Sequence, residues 1–190
     1  MPITARISAI WSRQKLLVAI FFVVVSSLFY WDGSIRYPKS NRRLQEYRDY
    51  KAAGHNESEW AAYAASKGWV ATPPEKFYGP GELLEQFVIG GIATAVGILL
   101  FVYWLTQRKR VLKLEDGAVY TPSGARVPFS SIRGIGKKRW ETKGIAVVRY
   151  EDNGRLLQFI VDDYKYETEP ARQILDAIEQ QLLTRVDSAA

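Results

Sequence analysis

The sequence predicts an α+β membrane protein: a two-span transmembrane helical hairpin, then an antiparallel β domain capped by one α-helix. Three observations lead there. Residues 16–31 and 87–106 are two uncharged, apolar runs. From Arg110 onward apolar residues alternate with polar ones, the period of a half-buried strand. At Ile174, Leu175, Ile178 and Leu182 the spacing becomes that of an amphipathic helix. The expected organisation is an N-terminal segment over 1–14, a first span over 15–33, an external helical segment over 34–79, a second span over 80–107 and the β domain over 108–186.

The first run, LLVAIFFVVVSSLFYW, reaches with its flanks the length a bilayer core requires, about 20 residues. Lys15 can snorkel at one end, and Tyr30 and Trp31 suit the other interface. The competing reading is a cleaved signal peptide, because Arg6, Arg13 and Lys15 precede the run. The apolar run continues through Leu28–Trp31, beyond a cut after Ser27, and this favours an anchor.

The second run, FVIGGIATAVGILLFVYWLT, is about one bilayer long. Tyr103 and Trp104 mark one interface, and Arg108, Lys109 and Arg110 close the end. Gly91 and Ala95, and Ala93 and Gly97, form small-xxx-small pairs that let helix backbones approach closely in lipid. The bland alternative is that Gly and Ala are simply common in membrane helices. Bases cluster after this helix (Arg108, Lys109, Arg110, Lys113), with only Lys67 and Lys76 before it, so its C-terminal side is expected in the cytoplasm. The flanks of the first helix disagree, since Arg36, Lys39, Arg42, Arg43 and Arg48 follow it. The second helix is given precedence. Both termini are then cytoplasmic, in the inner membrane of a bacterium.

Between the spans, residues 40–53 favour a helix ending at Gly54, and Asn56 with Glu59 resembles a capping box opening a second short helix. Pro73 and Pro74 enforce an extended stretch, and Pro80 can begin the second span. Trp60, Tyr63, Trp69, Phe77 and Tyr78 are many aromatics for so short a span. They read either as a docking surface for a partner or for headgroups, or as the segment's own small core. His55 is a lone loop histidine, and Asn56-Glu57-Ser58 is a glycosylation sequon by pattern.

In the last part, RVLKL alternates and Asp116-Gly117 signals a tight turn. AVYT, a Pro122-Ser123-Gly124 turn and ARVPF follow. SIRGIGKKRW, GIAVVRYE and RLLQFIVD come next, the latter two joined by Asp152-Asn153-Gly154. Thr168 is placed to cap a closing helix, with Pro170 near its start. DGAVYTPSGARVPFSSIRGI, the later strand pair and the closing helix resemble the bacterial pleckstrin-homology-like (PH-like) domains attached to membrane helices. The resemblance covers residues 110–185. It implies a small barrel-like β domain closed by a helix, and eukaryotic relatives imply phosphoinositide or peptide binding.

The chain has 190 residues, net charge +6, 6 Trp and 11 Tyr. The absence of cysteine excludes disulfides, thiolate nucleophiles and Cys-ligated metal centres, and a single histidine excludes chemistry needing two. Lys137, Lys138 and Arg139 beside Trp140, together with Arg108, Lys109 and Arg110, are candidate contacts to anionic lipid headgroups. Their alternative is a solvated strand end balanced by Glu141. Nucleic acid is not an expected partner, because no binding motif accompanies the modest charge. Asp162, Asp163, Glu167 and Glu169 are the one acidic cluster. Their place between a strand and a helix suits turn and helix-start roles. No catalytic residue, metal ligand or cofactor site is expected. The expected function is a non-enzymatic accessory or scaffolding subunit among other integral membrane proteins and membrane lipids. A photosynthetic or respiratory assembly is one conceivable host, and the alternative is an autonomous lipid- or peptide-binding module.

Overall fold

The computed structural model describes residues 2–188, with side chains through Arg185. The chain is α+β, and its contacts divide it into two units, residues 1–17 with 100–190, and residues 18–99.

The first unit holds both sheets. Strands β1 (Ile3–Arg6), β2 (Val111–Glu115), β3 (Ala118–Tyr120) and β4 (Arg126–Pro128) form one antiparallel sheet in that order. Strands β5 (Ile132–Arg139), β6 (Ile145–Asp152) and β7 (Arg155–Asp162) form the second, also antiparallel. The turns form where the sequence places them. Asp116 and Gly117, at φ 49° and 65°, make the two-residue β2–β3 connection, and Asn153 and Gly154, at 48° and 75°, make the β6–β7 connection. Positive φ at both central positions twists such a loop to match its strands.

Helix α6 (Thr168–Ser188) lays Ala171, Ile174, Leu175 and Ile178 into a core shared with Leu112, Val119 and Val127 of the first sheet and Val148, Phe159 and Val161 of the second. Thr168 does not cap this helix by accepting a bond; its hydroxyl donates to the Asp163 carbonyl at 2.9 Å. Glu167 takes the capping place. Its carbonyl accepts the Ala171 N–H, and its carboxylate accepts the Arg6 N–H at 3.2 Å.

One strand comes from an unexpected part of the chain. Residues 1–14 read as a cytoplasmic N-terminal segment ahead of the first span, and the β domain read as starting at residue 108. Yet β1 pairs along its whole length with β2, from Ile3 opposite Leu114 to Arg6 opposite Val111. Ala5 is fully buried in the domain core. Between these two neighbouring strands the chain makes a long excursion. Helix α1 (Ala9–Trp31) begins just after β1, and helix α4 (Pro80–Gln107) ends just before β2.

In the second unit α1 does not stop at the end of its apolar run. It passes through a π-helical turn, Asp32–Arg36, into α2 (Tyr37–Ala52), where the sequence reading separates a span from a later short helix. Pro38 explains the turn. It has no N–H, and its ring would strike the carbonyl four residues back in a regular helix. The chain widens instead, and the Tyr37 N–H reaches the Asp32 carbonyl. Gly54 ends α2 at φ 84°. The expected capping box is absent, because Asn56 makes no side-chain cap bond. A 3-10 turn, Glu57–Glu59, leads instead into α3 (Trp60–Ser66).

Helices Ala9–Ala52 and Pro80–Gln107 are both long and apolar enough to cross a membrane. Within the second unit their packed faces carry small residues. Gly97 lies against Ala19, Phe22 and Val23; Gly90 lies against Phe29 and Tyr30; Gly33 lies against Gln86 and Phe87. The contacts run in opposite sequence order, so the helices are antiparallel here. Midway, Ser26 Oγ and Thr94 Oγ1 are 2.5 Å apart. The Thr94 hydroxyl donates to the Gly90 carbonyl, so Ser26 is the donor to Thr94. Interhelical bonds of this kind contribute about 0.6 kcal/mol in lipid, and close backbone approach adds dispersion.

Expression of residues 108–190 alone is expected to give an unstable, aggregation-prone domain, since β2 becomes an open edge and Ala5 leaves the core. Joining residues 2–8 to 110–188 through a short glycine linker is expected to restore a cooperative thermal transition by circular dichroism. Equal melting of the two proteins would show that β1 is dispensable.

Candidate functional site

The first unit gathers an unusual polar and aromatic junction where the helix ends meet the sheets. It starts from the turn after β7. Asp162 Oδ1 accepts the N–H groups of Tyr164 at 3.0 Å and Lys165 at 2.9 Å, folding the chain back. The Lys165 carbonyl then accepts the Ser8 N–H, and Ile7 bridges Tyr166. This docks the link between β1 and α1 onto the turn. The Lys165 ammonium donates to Gln107 Oε1 at 2.9 Å and lies 5.4 Å from the centre of the Trp11 ring and 5.8 Å from that of Tyr166. Trp11 also meets Tyr103 edge to face, and Trp104 Nε1–H donates to Ser12 Oγ at 2.8 Å. Both helix ends are thereby fastened to one another and to the turn. Burial and then the nearby Arg110 lower the pKa of Lys165. Burial, reinforced by Asp162, pushes Tyr166 up to about 12.

The expected headgroup contacts divide into distinct situations. Arg108, Lys109 and Arg110 are exposed at the end of α4. Arg108 covers Trp104 at 5.0 Å, and Arg110 donates to the Thr106 carbonyl at 3.3 Å, a favourable place for cations at a helix C-terminus. Lys137 is taken up by an ion pair with Glu179 of α6 at 2.9 Å, and Trp140 packs against the core. Trp140 opens a short helix, α5 (Trp140–Lys143), absent from the sequence reading. Lys138 and Arg139 are exposed and reach no carboxylate among the described residues. Arg139 pairs in register with Ile145, which in turn pairs with Asp162. The strand end bearing these bases therefore lies at the same end of the unit as the junction.

The acidic cluster has structural occupations. Asp162 folds the turn, Asp163 binds the Arg172 guanidinium at 2.8 Å, Glu167 receives Arg6 and Glu169 receives Gln173. Asp163 also explains Gly144. That residue is left-handed, φ 65°, and a Cβ there would overlap the Asp163 carboxylate.

In the second unit, Trp60 is only 2% exposed and is surrounded by Tyr47, Tyr50, Tyr63 and Trp69. These rings form the segment's own core, and Tyr50 stacks on His55 at 4.4 Å. Tyr78 stacks flat on Tyr37 at 3.8 Å, while Phe77 is exposed. Of the small residues, Ala93 and Gly97 lie buried on the packed face of α4; Gly91 is half-buried and Ala95 is exposed, so the second pair takes little part. Gly90 serves instead.

Sequence reasoning passed over Lys165, Gln107, Trp11 and Tyr103 as a group. Gln107 directly follows the apolar run, and Trp11 sits among bases before the first, but only the fold brings them to Lys165.

Tyr166 makes alkaline stability informative. Its folded pKa, about 12, exceeds the ordinary tyrosine value of about 10, so the folded state holds the proton longer. Stability from this group is complete below pH ~10 and falls by about 1.4 kcal/mol per pH unit between pH ~10 and ~12. Lys165, shifted down, acts with the opposite sign as it loses its proton below the usual lysine range. Tyr166→Phe is expected to remove the Tyr166 contribution, flattening or reversing the alkaline slope in denaturant titrations of the detergent-solubilised protein. A slope unchanged by the substitution would refute this assignment.

Comparison with known proteins finds no matching family model, no similar curated protein and no similar solved structure.

Proposed function

We propose that this chain is a non-enzymatic accessory or scaffolding subunit of a larger complex in the bacterial inner membrane. Its two apolar helices span the bilayer as a hairpin, and its sheets form a PH-like domain held at the cytoplasmic surface with both termini. A four-stranded and a three-stranded antiparallel sheet closed by one C-terminal helix support the PH-like reading. The pairing of β1 with β2 supports the hairpin, because both spans then leave the domain from adjacent strands.

The observation that carries the partner-binding reading is the edge strand β7. Among the described residues it is paired on one side only, with β6. Its outward face shows Leu156, 66% exposed, and Ile160, 50% exposed, and Leu157 is 41% exposed beside them. Across the register Val147 stands opposite Ile160, extending the apolar strip. Solvated edges are normally blunted by charge or proline, because unpaired backbone and apolar side chains invite another chain. An edge of this composition suits strand addition by a partner, with backbone bonds for affinity and alternate side chains for selectivity.

A gentle-detergent purification of the tagged, full-length protein is expected to bring stoichiometric integral membrane partners, identified by mass spectrometry. Leu156→Lys with Ile160→Lys is expected to lower their recovery at least about tenfold, about 1.4 kcal/mol of affinity. Emergence of the wild-type protein alone, or with itself only, would remove the accessory reading.

A second reading, a module that itself binds anionic lipid, is favoured by Lys138 and Arg139, exposed beside the junction. In nanodiscs, amide exchange over residues 137–143 is expected to slow with anionic relative to zwitterionic lipid. Lys138→Glu with Arg139→Glu is expected to abolish the difference. Equal exchange in both lipids would leave this reading without support.

A further inference from the structure

Immediately after the apolar run of α1, a cavity of about 860 Å³ opens between the start of α2 and the segment 67–78. Five cations line it: Arg36, Lys39, Arg42, Arg43 and Lys67. No carboxylate does. Two acids reach these cations from outside. Asp32 pairs with Arg36 at 3.3 Å, and Glu46 pairs with Arg42 at 3.5 Å and Lys67 at 3.9 Å. Five cations against two carboxylates leave three positive charges uncompensated. Lys39 is exposed and reaches no carboxylate among the described residues.

Arg43 is fixed in place. One end of its guanidinium donates to the Thr72 carbonyl, which fixes the side chain against the cavity wall. Its Nε is buried and has no hydrogen-bond partner among the described residues. A buried donor left unpaired costs free energy, which the fold accepts to hold this guanidinium in place. The opposite wall is held in place beforehand. Asn41 clamps the Tyr78 backbone with two bonds of 2.7 Å, and Tyr78 stacks on Tyr37. Trp31, Ile35, Trp69 and Val70 add apolar side chains to the lining.

The cavity therefore combines a surplus of cations, a preorganised wall and apolar side chains at the end of the apolar run. A phosphate diester offers acceptor oxygens that guanidinium groups bind well, and its glycerol and acyl chains match the apolar part of the lining. We propose that this cavity binds the phosphate headgroup of an anionic phospholipid from the leaflet that faces residues 32–79. The proposal rests on the reading of the two apolar helices as membrane spans. Bound there, the lipid neutralises the surplus cations and joins α2 to the 67–78 segment.

The test uses full-length protein, solubilised, stripped of lipid and titrated with three probes: dihexanoyl-phosphatidylglycerol, dihexanoyl-phosphatidylcholine and inorganic phosphate. Native mass spectrometry reads retention, and thermal melting reads protection. Phosphatidylglycerol alone is expected to be retained and to raise Tm. Lys39→Gln with Arg42→Gln is expected to weaken its binding about 25-fold, at about fivefold per base removed. Arg48→Gln, an exposed base of the same helix outside the cavity, is expected to bind as wild type. Three outcomes would overturn the proposal: phosphatidylcholine held as tightly, equal protection by inorganic phosphate, which would make this a free-anion site, or unweakened binding by the double variant. Carbonate washing of native membranes separates the premise from the proposal. Protein released by the wash overturns the spanning reading itself, whereas protein that stays but shows no lipid selectivity overturns the cavity assignment alone.

Discussion

The pairing of β1 with β2 is the constraint on which the rest of the structure depends. Four residues at the start of the chain complete a sheet whose next strand begins at Val111. Everything from Ala9 to Gln107 is thereby an insertion between two hydrogen-bonded neighbours. Closing a loop of this length costs chain entropy, though only slowly more as length grows. That cost is offset by the burial of Ala5 and the β1–β2 ladder, and by contacts at the helix ends themselves. The Trp11–Tyr103 ring pair and the Trp104–Ser12 bond bring the two helix ends together just where the strands require them. Sheet pairing and helix pairing thus demand the same spacing, and satisfying one assists the other.

A connection of this kind differs from a flexible linker. The links on either side are short, and their polar groups are engaged. Ser8 donates to the Lys165 carbonyl, and Arg110 N–H donates to the Gln107 carbonyl. Lys165 is held over Trp11 and bonded to Gln107. The ammonium loses water there, which lowers its pKa, and it recovers part of the loss from ring faces and the amide oxygen. A side chain kept half-buried at such a cost serves position rather than solubility. The ends of α1 and α4 are consequently continuous with the sheet domain in a mechanical sense.

Legibility in the sequence followed the range of the interaction. The turns at Asp116-Gly117 and Asn153-Gly154, the start of α4 at Pro80 and the apolar stripe of α6 were readable because each depends on neighbours a few residues away. β1 was not, because ITAR is too short to carry a period and its partner lies a hundred residues on. The continuity of α1 into α2 was hidden by Pro38, which ordinarily breaks a helix and here widens one turn. The candidate site divides the same way. A basic run is visible at 137–139, but only the fold shows that Lys137 is neutralised by Glu179 on a distant helix while Lys138 and Arg139 stay free of carboxylates among the described residues. The aromatic density between the spans was evident, whereas its division into a buried core around Trp60 and an exposed Phe77 follows from packing.

The small residues of the two helices show why pattern alone selects the wrong pair. Spacing by four nominates Gly91 with Ala95 as readily as Ala93 with Gly97. The contact line instead follows Val23, Ser26, Tyr30 and Gly33 on α1 and its π turn, opposite Gly97, Thr94, Gly90 and Phe87. Alternating intervals of three and four keep one narrow stripe facing its partner over several turns, where an interval of four alone drifts around the helix. Ser26 and Thr94 lie on that stripe, so their bond is made without widening the helix separation that the flanking small residues allow. An apolar substitution of the same size would keep the stripe and lose the bond, whereas a larger side chain at Gly97 would meet Phe22 Cβ and the Ala19 carbonyl directly. Close approach is therefore the primary requirement of this helix pair, and the hydroxyl pair is possible only because that requirement is met.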